Sequence, residues 1–267
     1  MSEELPISEP LIRLDPLPAA LRERIERIDA LRDSYAAAVR TGAVLTNVLD
    51  AMRIELTYHS NAIEGNTLSL RDTQLVLEGR VPPGERDLRE IYEARNHDRA
   101  VRLVEQWVVD RPADSPITRR DLLDLHALVL ADIQPTAGQF RTHRVLIAGS
   151  SFVPPGSHRF DTLIPAALEL AGRRDAHIAI RAAELHYNFA AIHPFGDGNG
   201  RTARLLTNYV LLRNGFPHAI IEVERRSQYL SALDRANVGE WAPFAEFILD
   251  TIERSFSRAL GSPNSEP

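Results

Sequence analysis

Apolar residues recur at steps of three and four along most of the chain, the spacing of one face of an α-helix. Leu21, Ile25, Ile28, Leu31, Tyr35 and Val39 predict an amphipathic helix over 18–40, stopped by Gly42. Leu45, Leu49, Met52, Leu56 and His59 predict a second over about 45–63, with Gly65 as its stop signal. Ser69 and Asp72 stand in capping-box spacing before a third helix, with Asp where the box usually carries Glu or Gln. A long helix is predicted over about 85–109 through Leu88, Ile91, Tyr92, Val101, Val104 and Trp107. Asn96 and His97 interrupt its stripe and read as buried polar or surface groups, not catalytic ones. Thr118 and Asp121 open a shorter helix through Leu122, Leu125, His126, Val129 and Leu130.

The helical spacing stops at Pro135. Residues 139–155 read as two short extended pieces joined by a Gly-Ser turn, a β-hairpin lying on the helices with open edges. Helical periodicity resumes over 161–171, with Pro165 near the start of that helix. Asp175 is the expected cap of the next, which runs through Ile178, Leu185, Phe189 and Ile192 and is apolar over more than one stripe, so it is expected to be central and buried. Further helices follow to Leu212, over about 224–236, and from Trp241 to about Leu260. The expected fold is therefore one mostly α-helical domain with a small β-hairpin. Pro6, Pro10 and Pro16 make the first 17 residues an extended arm, and 261–267 a disordered tail.

Composition narrows the setting. The 267 residues are 44% hydrophobic and 25% charged, as in ordinary globular chains, and cysteine is absent, which excludes disulfides and thiolate metal sites. That absence fits a reducing, cytoplasmic location. The start shows neither a basic n-region nor an apolar h-region, and no run is long and apolar enough to span a membrane. With a net charge of −6, and a basic cluster of Arg141, His143, Arg144, His158 and Arg159 lacking interleaved aromatics, a nucleic-acid partner is not expected. An acidic target segment or plain solubility accounts for that cluster.

Chemistry concentrates in residues 193–204, His-Pro-Phe-Gly-Asp-Gly-Asn-Gly-Arg-Thr-Ala-Arg, a tight turn entering a helix N-terminus. Backbone N–H groups of such a turn form a nest for anionic oxygens. Arg201 and Arg204 lie three apart on one face and can reach the same polyphosphate, Asp197 is a hard ligand suited to magnesium, and His193 can take a proton from a hydroxyl. His186 lies seven residues before His193, but no third ligand follows for zinc.

This stretch resembles the signature of the Fic domain family, His-x-Phe-x-Asp/Glu-Gly-Asn-Gly-Arg-x-x-Arg, at every specified position. The resemblance implies transfer of AMP from ATP to a Ser, Thr or Tyr hydroxyl of a target protein, releasing pyrophosphate. It implies His193 as the base, Phe195 as the loop's anchor and Asp197 as the Mg²⁺ ligand. Gly198, Asn199 and Gly200 would bind the α- and β-phosphates, Arg201 the β-phosphate region and Arg204 the γ-phosphate. The chain keeps the glycine that the family's kinase-like branch replaces, which favours nucleotidyl transfer.

Ser60-Asn61-Ala62-Ile63-Glu64-Gly65 reads by itself as a side-chain pair near a helix end, where a buried Glu64 would need a cationic partner against the helix dipole. It also fits the family's inhibitory motif, Ser/Thr-x-x-x-Glu-Gly/Asn, in the class that carries it N-terminal to the signature. The implied brake is Glu64 pairing with Arg204 and repelling the γ-phosphate. The hairpin resembles the flap that holds a target's main chain, here through Val145, Leu146 and Ile147, although a purely structural hairpin is an alternative. Tyr229 and Asn237 lie where the family lines its adenine and ribose pocket; Tyr229 as ordinary core is equally open.

These expectations divide the chain into an arm and helix over 1–44, a Fic-type catalytic domain over 45–260 whose inhibitory helix is about 45–64, and the tail. ATP, a target protein with a modifiable hydroxyl, and a homodimer, common in such proteins, are the expected partners. The competing activities are removal of AMP from a modified side chain, transfer of another nucleotide, or a non-enzymatic peptide-binding module using the hairpin edge.

Overall fold

The computed structural model describes residues 11–14, 16–44, 46–112 and 114–261. Its ten α-helices are α1 (Ala19–Arg40), α2 (Thr46–Ile63), α3 (Leu70–Leu77), α4 (Leu88–Asp110), α5 (Arg119–Val129), α6 (Phe160–Gly172), α7 (Ile178–Ile192), α8 (Asn199–Leu212), α9 (Arg226–Asn237) and α10 (Ala242–Ala259). The expected capping boxes before α3 and α5 form, with Asp72 and Asp121 completing them. A carboxylate one methylene shorter than Glu still reaches the cap amide, at 3.2 Å from Ser69 N and 2.8 Å from Thr118 N.

α7 and α8 form the centre. α7 is buried nearly all round, its alanines at 179, 182 and 183 letting neighbours approach, and α8 is buried from Arg201 to Leu211. α4, α6 and α10 surround this pair, and α1 lies across α10, where the Tyr35 and Phe256 rings meet edge to face at 5.8 Å. The last described residues of the expected arm also join the core. Ile12 exchanges two hydrogen bonds with the Asn188 side chain, at 2.6 and 2.9 Å, and Leu14 N donates to Glu184 Oε1 at 2.7 Å.

Three expectations are corrected. No strand forms among the described residues, so 139–155 is an irregular segment and not a β-hairpin. Val145 and Ile147 carry the alternation of a strand, but no segment among the described residues pairs with them. α7 is capped by His177, whose Nδ1 accepts from Ala179 N at 3.2 Å, and not by Asp175, which pairs with Arg13 at 2.5 Å. Pro165 lies inside α6, past the first turn. Pro6, Pro10, Leu45 and residues 262–267 of the expected tail fall outside the described residues.

Candidate active site

α7 ends where His193 turns into the left-handed region (φ 50°, ψ 57°), and α8 begins after Gly198 (φ 75°). A non-glycine residue in that conformation is held by its surroundings. Arg141, buried, supplies much of that hold. It donates to the carbonyls of His193 at 2.7 Å, Pro155 at 2.6 Å, His143 at 2.8 Å and Ile192 at 3.4 Å, while its amide donates to Pro194 O at 3.0 Å. Arg141 is thus a structural tie, which corrects its reading as one of a solvated basic cluster. Phe195 is fully buried and stacks on His126 at 3.6 Å with ring planes 2° apart. Asn199 braces the turn: its Oδ1 accepts from Phe195 N and its Nδ2 donates to Phe195 O, both at 2.9 Å.

His126 was visible in the sequence only as one position on an apolar stripe. Its Nδ1 accepts from Gly138 N at 2.9 Å, so the proton is on Nε2, which donates to Asp197 O at 3.0 Å. Burial pushes its pKa down to about 4, which keeps this neutral tautomer in place.

His193 Nδ1 faces Ala190 O at 3.2 Å, and a carbonyl only accepts, so Nδ1 carries the proton and Nε2 the lone pair. Burial lowers its pKa despite that bond, with Arg141 adding to the shift and Glu64 and Asp197 opposing it. A neutral imidazole with Nε2 available is a base ready to accept a proton.

At the start of α8 the first helical bond is Thr202 N to Gly198 O, leaving the amides of Asn199, Gly200 and Arg201 without main-chain partners among the described residues. Such a helix end attracts anions. The anion lying there is Glu64: a Cβ on Gly200 would overlap its Oε1, so the glycine is what lets the carboxylate approach. Glu64 Oε1 lies 2.7 Å from Arg204 Nη2. Arg204, only 3% exposed, also donates to Ser60 Oγ at 2.9 Å and Ser60 O at 2.8 Å. Three acceptors from the end of α2 and the residue after it therefore hold Nε and Nη2 of this guanidinium. Gly65 (φ 100°) ends that turn in a conformation that favours glycine.

Arg201 is buried and faces Glu93 Oε1 and Asp197 Oδ1, each at 3.3 Å. Glu93, on the buried face of α4, also accepts from Asn66 at 3.0 Å and Arg89 at 3.1 Å. Its signal in the sequence was an acidic residue in register with Asn96, His97 and Ala100 on the inward stripe. Asp197 accepts from Gly198 N at 2.6 Å on Oδ1, and from Gln134 at 2.8 Å and Arg89 at 3.1 Å on Oδ2. No group of three or more His, Cys, Asp or Glu suited to a metal occurs among the described residues, so an all-protein cage is not available. One carboxylate beside a helix N-terminus does fit magnesium shared with a polyphosphate, since that ion keeps waters and phosphate oxygens as its other ligands.

Tyr229 lies beneath this surface, close enough to Arg204 and Glu64 to feel both charges. It is 3% exposed, its ring meets Phe247 at 5.7 Å, and its hydroxyl is 2.7 Å from His186 Nε2. Thr207 donates to Ala203 O, so His186 Nδ1–H donates to Thr207 Oγ1 at 3.0 Å and His186 Nε2 accepts from Tyr229. Tyr229 is packed in the core beneath Arg204. Asn237 accepts from the Tyr187 hydroxyl at 3.0 Å. In the 139–155 segment Leu146 is 80% exposed, and none of the amides of residues 142–149 donates to a protein group among the described residues.

A helical scaffold that sets a neutral histidine beside an anion seat, with a basic residue one helical turn away, is the class of site these contacts define. A model of the Fic/DOC family matches residues 116–211. A structure of Fic-1 from C. elegans is 32% identical with a TM-score of 0.79, covering 92% of this chain and 74% of that one. A Fic family protein from Desulfovibrio desulfuricans shares 26% identity with a TM-score of 0.81, over 97% of this chain and 79% of its own. The Aedes aegypti protein adenylyltransferase Fic is 36% identical over 243 residues, 90% of this chain and 48% of the relative. The Drosophila melanogaster protein of the same name is 34% identical over 248 residues. This chain belongs to the Fic/DOC family and spans about half the length of the curated relatives it matches.

Proposed function

We propose that the chain is a protein adenylyltransferase held in check by its own Glu64. The observation that carries the reading is the Glu64 carboxylate against Gly200 and 2.7 Å from Arg204, where a phosphate of a nucleotide would find its strongest partners. In the reaction, the target hydroxyl oxygen forms a bond to the α-phosphorus of ATP, His193 Nε2 takes the hydroxyl proton, and pyrophosphate leaves. The amides of residues 199–201 and the two arginines would hold the phosphates, Arg204 once Glu64 withdraws. Asp197 would hold Mg²⁺, which supplies charge neutralisation on the phosphate oxygens. Arg201 would hold phosphate from beneath the loop, where it also faces Glu93 and Asp197.

The exposed 142–149 segment is the proposed holder of the target, its unpaired amides offering an edge to an extended peptide through Val145, Leu146 and Ile147. Asn237 stays a proposed nucleotide contact; Tyr229 would shape that pocket from below. A second activity, removal of AMP from a modified side chain, is favoured by the seat of Glu64 at the N-terminus of α8, since the same carboxylate can orient water. A homodimer and a cytoplasmic setting belong to the proposal; no helix among the described residues is long and apolar enough to cross a membrane. Incubating wild type, Glu64→Gly and Glu64→Gly/His193→Ala with labelled ATP, UTP or GTP and a cell lysate tests the reading. The expected outcome is labelling from ATP that rises in the first variant and vanishes in the second. Labelling independent of His193 would overturn it.

A further inference from the structure

Both oxygens of the Asp197 carboxylate are fully engaged. Oδ1 accepts from Gly198 N at 2.6 Å and faces Arg201 Nη2 at 3.3 Å; Oδ2 accepts from Gln134 Nε2 at 2.8 Å and Arg89 Nη2 at 3.1 Å. An ionised carboxylate offers about four lone-pair sites, so a metal ion can bind there only if a donor leaves. The four donors differ in how readily they can go. The Gly198 amide is main chain in a fixed turn, and Arg201 is 2% exposed and tied to Glu93. Gln134 is neutral and lies beside the loop. Arg89 is 52% exposed, carries a full positive charge, and has a second tie, its Nε to Glu93 Oε1 at 3.1 Å. It can swing off Asp197 while keeping Glu93.

We propose that Arg89 is a resident cation on Asp197 that a divalent ion must displace, and that Gln134 is the positioning residue that keeps the carboxylate aimed once Arg89 has left. The proposal rests on the reading of Asp197 as the ligand of a nucleotide-bound magnesium. A guanidinium and a dication cannot share one carboxylate oxygen without strong repulsion, because at a few ångströms like charges in a partly exposed site repel appreciably. A neutral amide has no such conflict, and its bond to Oδ2 leaves the other lone pair of that oxygen free. The two residues touch the same atom and so act in opposite directions. Removing Arg89 frees a lone pair and a charge, whereas removing Gln134 loosens the carboxylate. Where Glu64 stands in the place of a phosphate, Arg89 stands in the place of the metal, and the nucleotide–metal pair displaces both.

Mn²⁺ is the probe, titrated into the full chain carrying Glu64→Gly with a saturating non-hydrolysable ATP analogue, and free Mn²⁺ is read by its electron paramagnetic resonance signal. Adding Arg89→Ala is expected to tighten Mn²⁺ binding about two- to fivefold, the scale set by the net worth of an exposed ion pair. Arg89→Lys is expected to fall between Arg89→Ala and the parent, and Gln134→Ala to weaken binding. Asp197→Asn is expected to abolish it. Unchanged or weaker Mn²⁺ binding in Arg89→Ala, with Asp197→Asn still abolishing it, overturns the proposal and leaves the assignment of Asp197 standing. Mn²⁺ binding indifferent to Asp197→Asn removes the assignment and the proposal together. Arg89 is half exposed, so thermal melting of its variants close to the parent's shows that binding and not folding has changed.

Discussion

Replacing Glu64 by Gln keeps its shape and removes its charge, which isolates the contact the proposed brake depends on. Glu64 Oε1 is 2.7 Å from Arg204 Nη2; Arg204 is buried, while the Glu64 side chain is 36% exposed, so water screens one partner. Arg204 also keeps its bonds to Ser60 Oγ and O at 2.9 and 2.8 Å when Glu64 is neutralised. The pair therefore lies between exposed ion pairs, worth about 0.2–1 kcal/mol, and buried ones, whose disruption costs about 3–5 kcal/mol. A value of about 1–2 kcal/mol is appropriate, equivalent to a factor of about 5–30 in an equilibrium. If the contact withholds Arg204 from the nucleotide, Glu64→Gln raises the initial rate of AMP transfer by about that factor. It should also lower the melting temperature, by about 2–4 °C per kcal/mol for a chain of this size. Labelled-ATP incorporation and thermal unfolding, measured on one preparation, move in opposite directions. A lowered melting temperature with an unchanged rate would refute the reasoning: Glu64 would be a structural tie whose charge does not compete with phosphate.

Other consequences follow from the same contacts. Arg141→Lys keeps the charge but loses the planar fork that spans four carbonyls, so it should cost about 2–4 kcal/mol in urea unfolding and slow transfer by loosening His193; an unchanged urea midpoint contradicts the tie. Asn199→Ala should destabilise by about 1–3 kcal/mol and cut kcat more than it raises KM, since it frees the Phe195 main chain behind the base. The rate of transfer should rise with pH through a midpoint below 6.5 and then level, because only neutral His193 accepts the proton and its pKa is lowered; a midpoint above 7 excludes that assignment. Stability should fall on acidification. His126 and His186, with pKa values near 4 and 3, stay neutral in the fold while the unfolded chain takes up protons near 6.5. Their contribution is therefore complete above about pH 6.5 and lost as pH falls towards those folded values, about 2 kcal/mol by pH 5 for His126 alone. Urea midpoints at pH 7.5 and 5.0 measure it, and His126→Gln should flatten the difference.

The helices were legible because each buries a stripe, and a stripe repeats. Local caps were legible for the same reason of short range: Ser69 with Asp72 and Thr118 with Asp121 need only neighbours in sequence. The hairpin misread shows the limit of that logic. Val145 and Ile147 alternate as a strand does, but a strand exists only with a partner, and no second segment among the described residues pairs with them. Arg141 was opaque for a related reason, since its four acceptors come from residues 143, 155, 192 and 193, and nothing near it in sequence marks it as a tie. His126 and Glu93 sat on apolar stripes and offered only the weak hint of a polar residue facing inward. For Tyr229 and Asn237 the place along the chain was legible but the depth was not, because burial is set by α7 and α10, remote in sequence.

What the geometry adds to the motif is a reason for the proposed brake and the proposed nucleotide to exclude one another. The N-terminus of α8 presents three amides without main-chain partners, and Gly200 leaves no side chain over them. Any carboxylate or phosphate that comes near gains from the same dipole, the same amides and the same Arg204. Glu64 reaches this seat because α2 ends in a glycine turn held by Asn66 to Glu93 and by Arg226 to Ile63 O at 2.7 Å. The carboxylate is tethered, so it has a high local concentration without the loss of freedom that a nucleotide incurs on binding. It lacks the several charges of a triphosphate, so nucleotide at sufficient concentration can win the contest. Inhibition built this way should be graded by ATP concentration and by the stiffness of the α2–Gly65 turn. Asn66→Ala, which loosens that turn without touching the seat, should shift activation to lower ATP while leaving the maximal rate of the Glu64→Gly form unchanged. A maximal rate that falls in Asn66→Ala/Glu64→Gly would show instead that the turn shapes the catalytic loop itself.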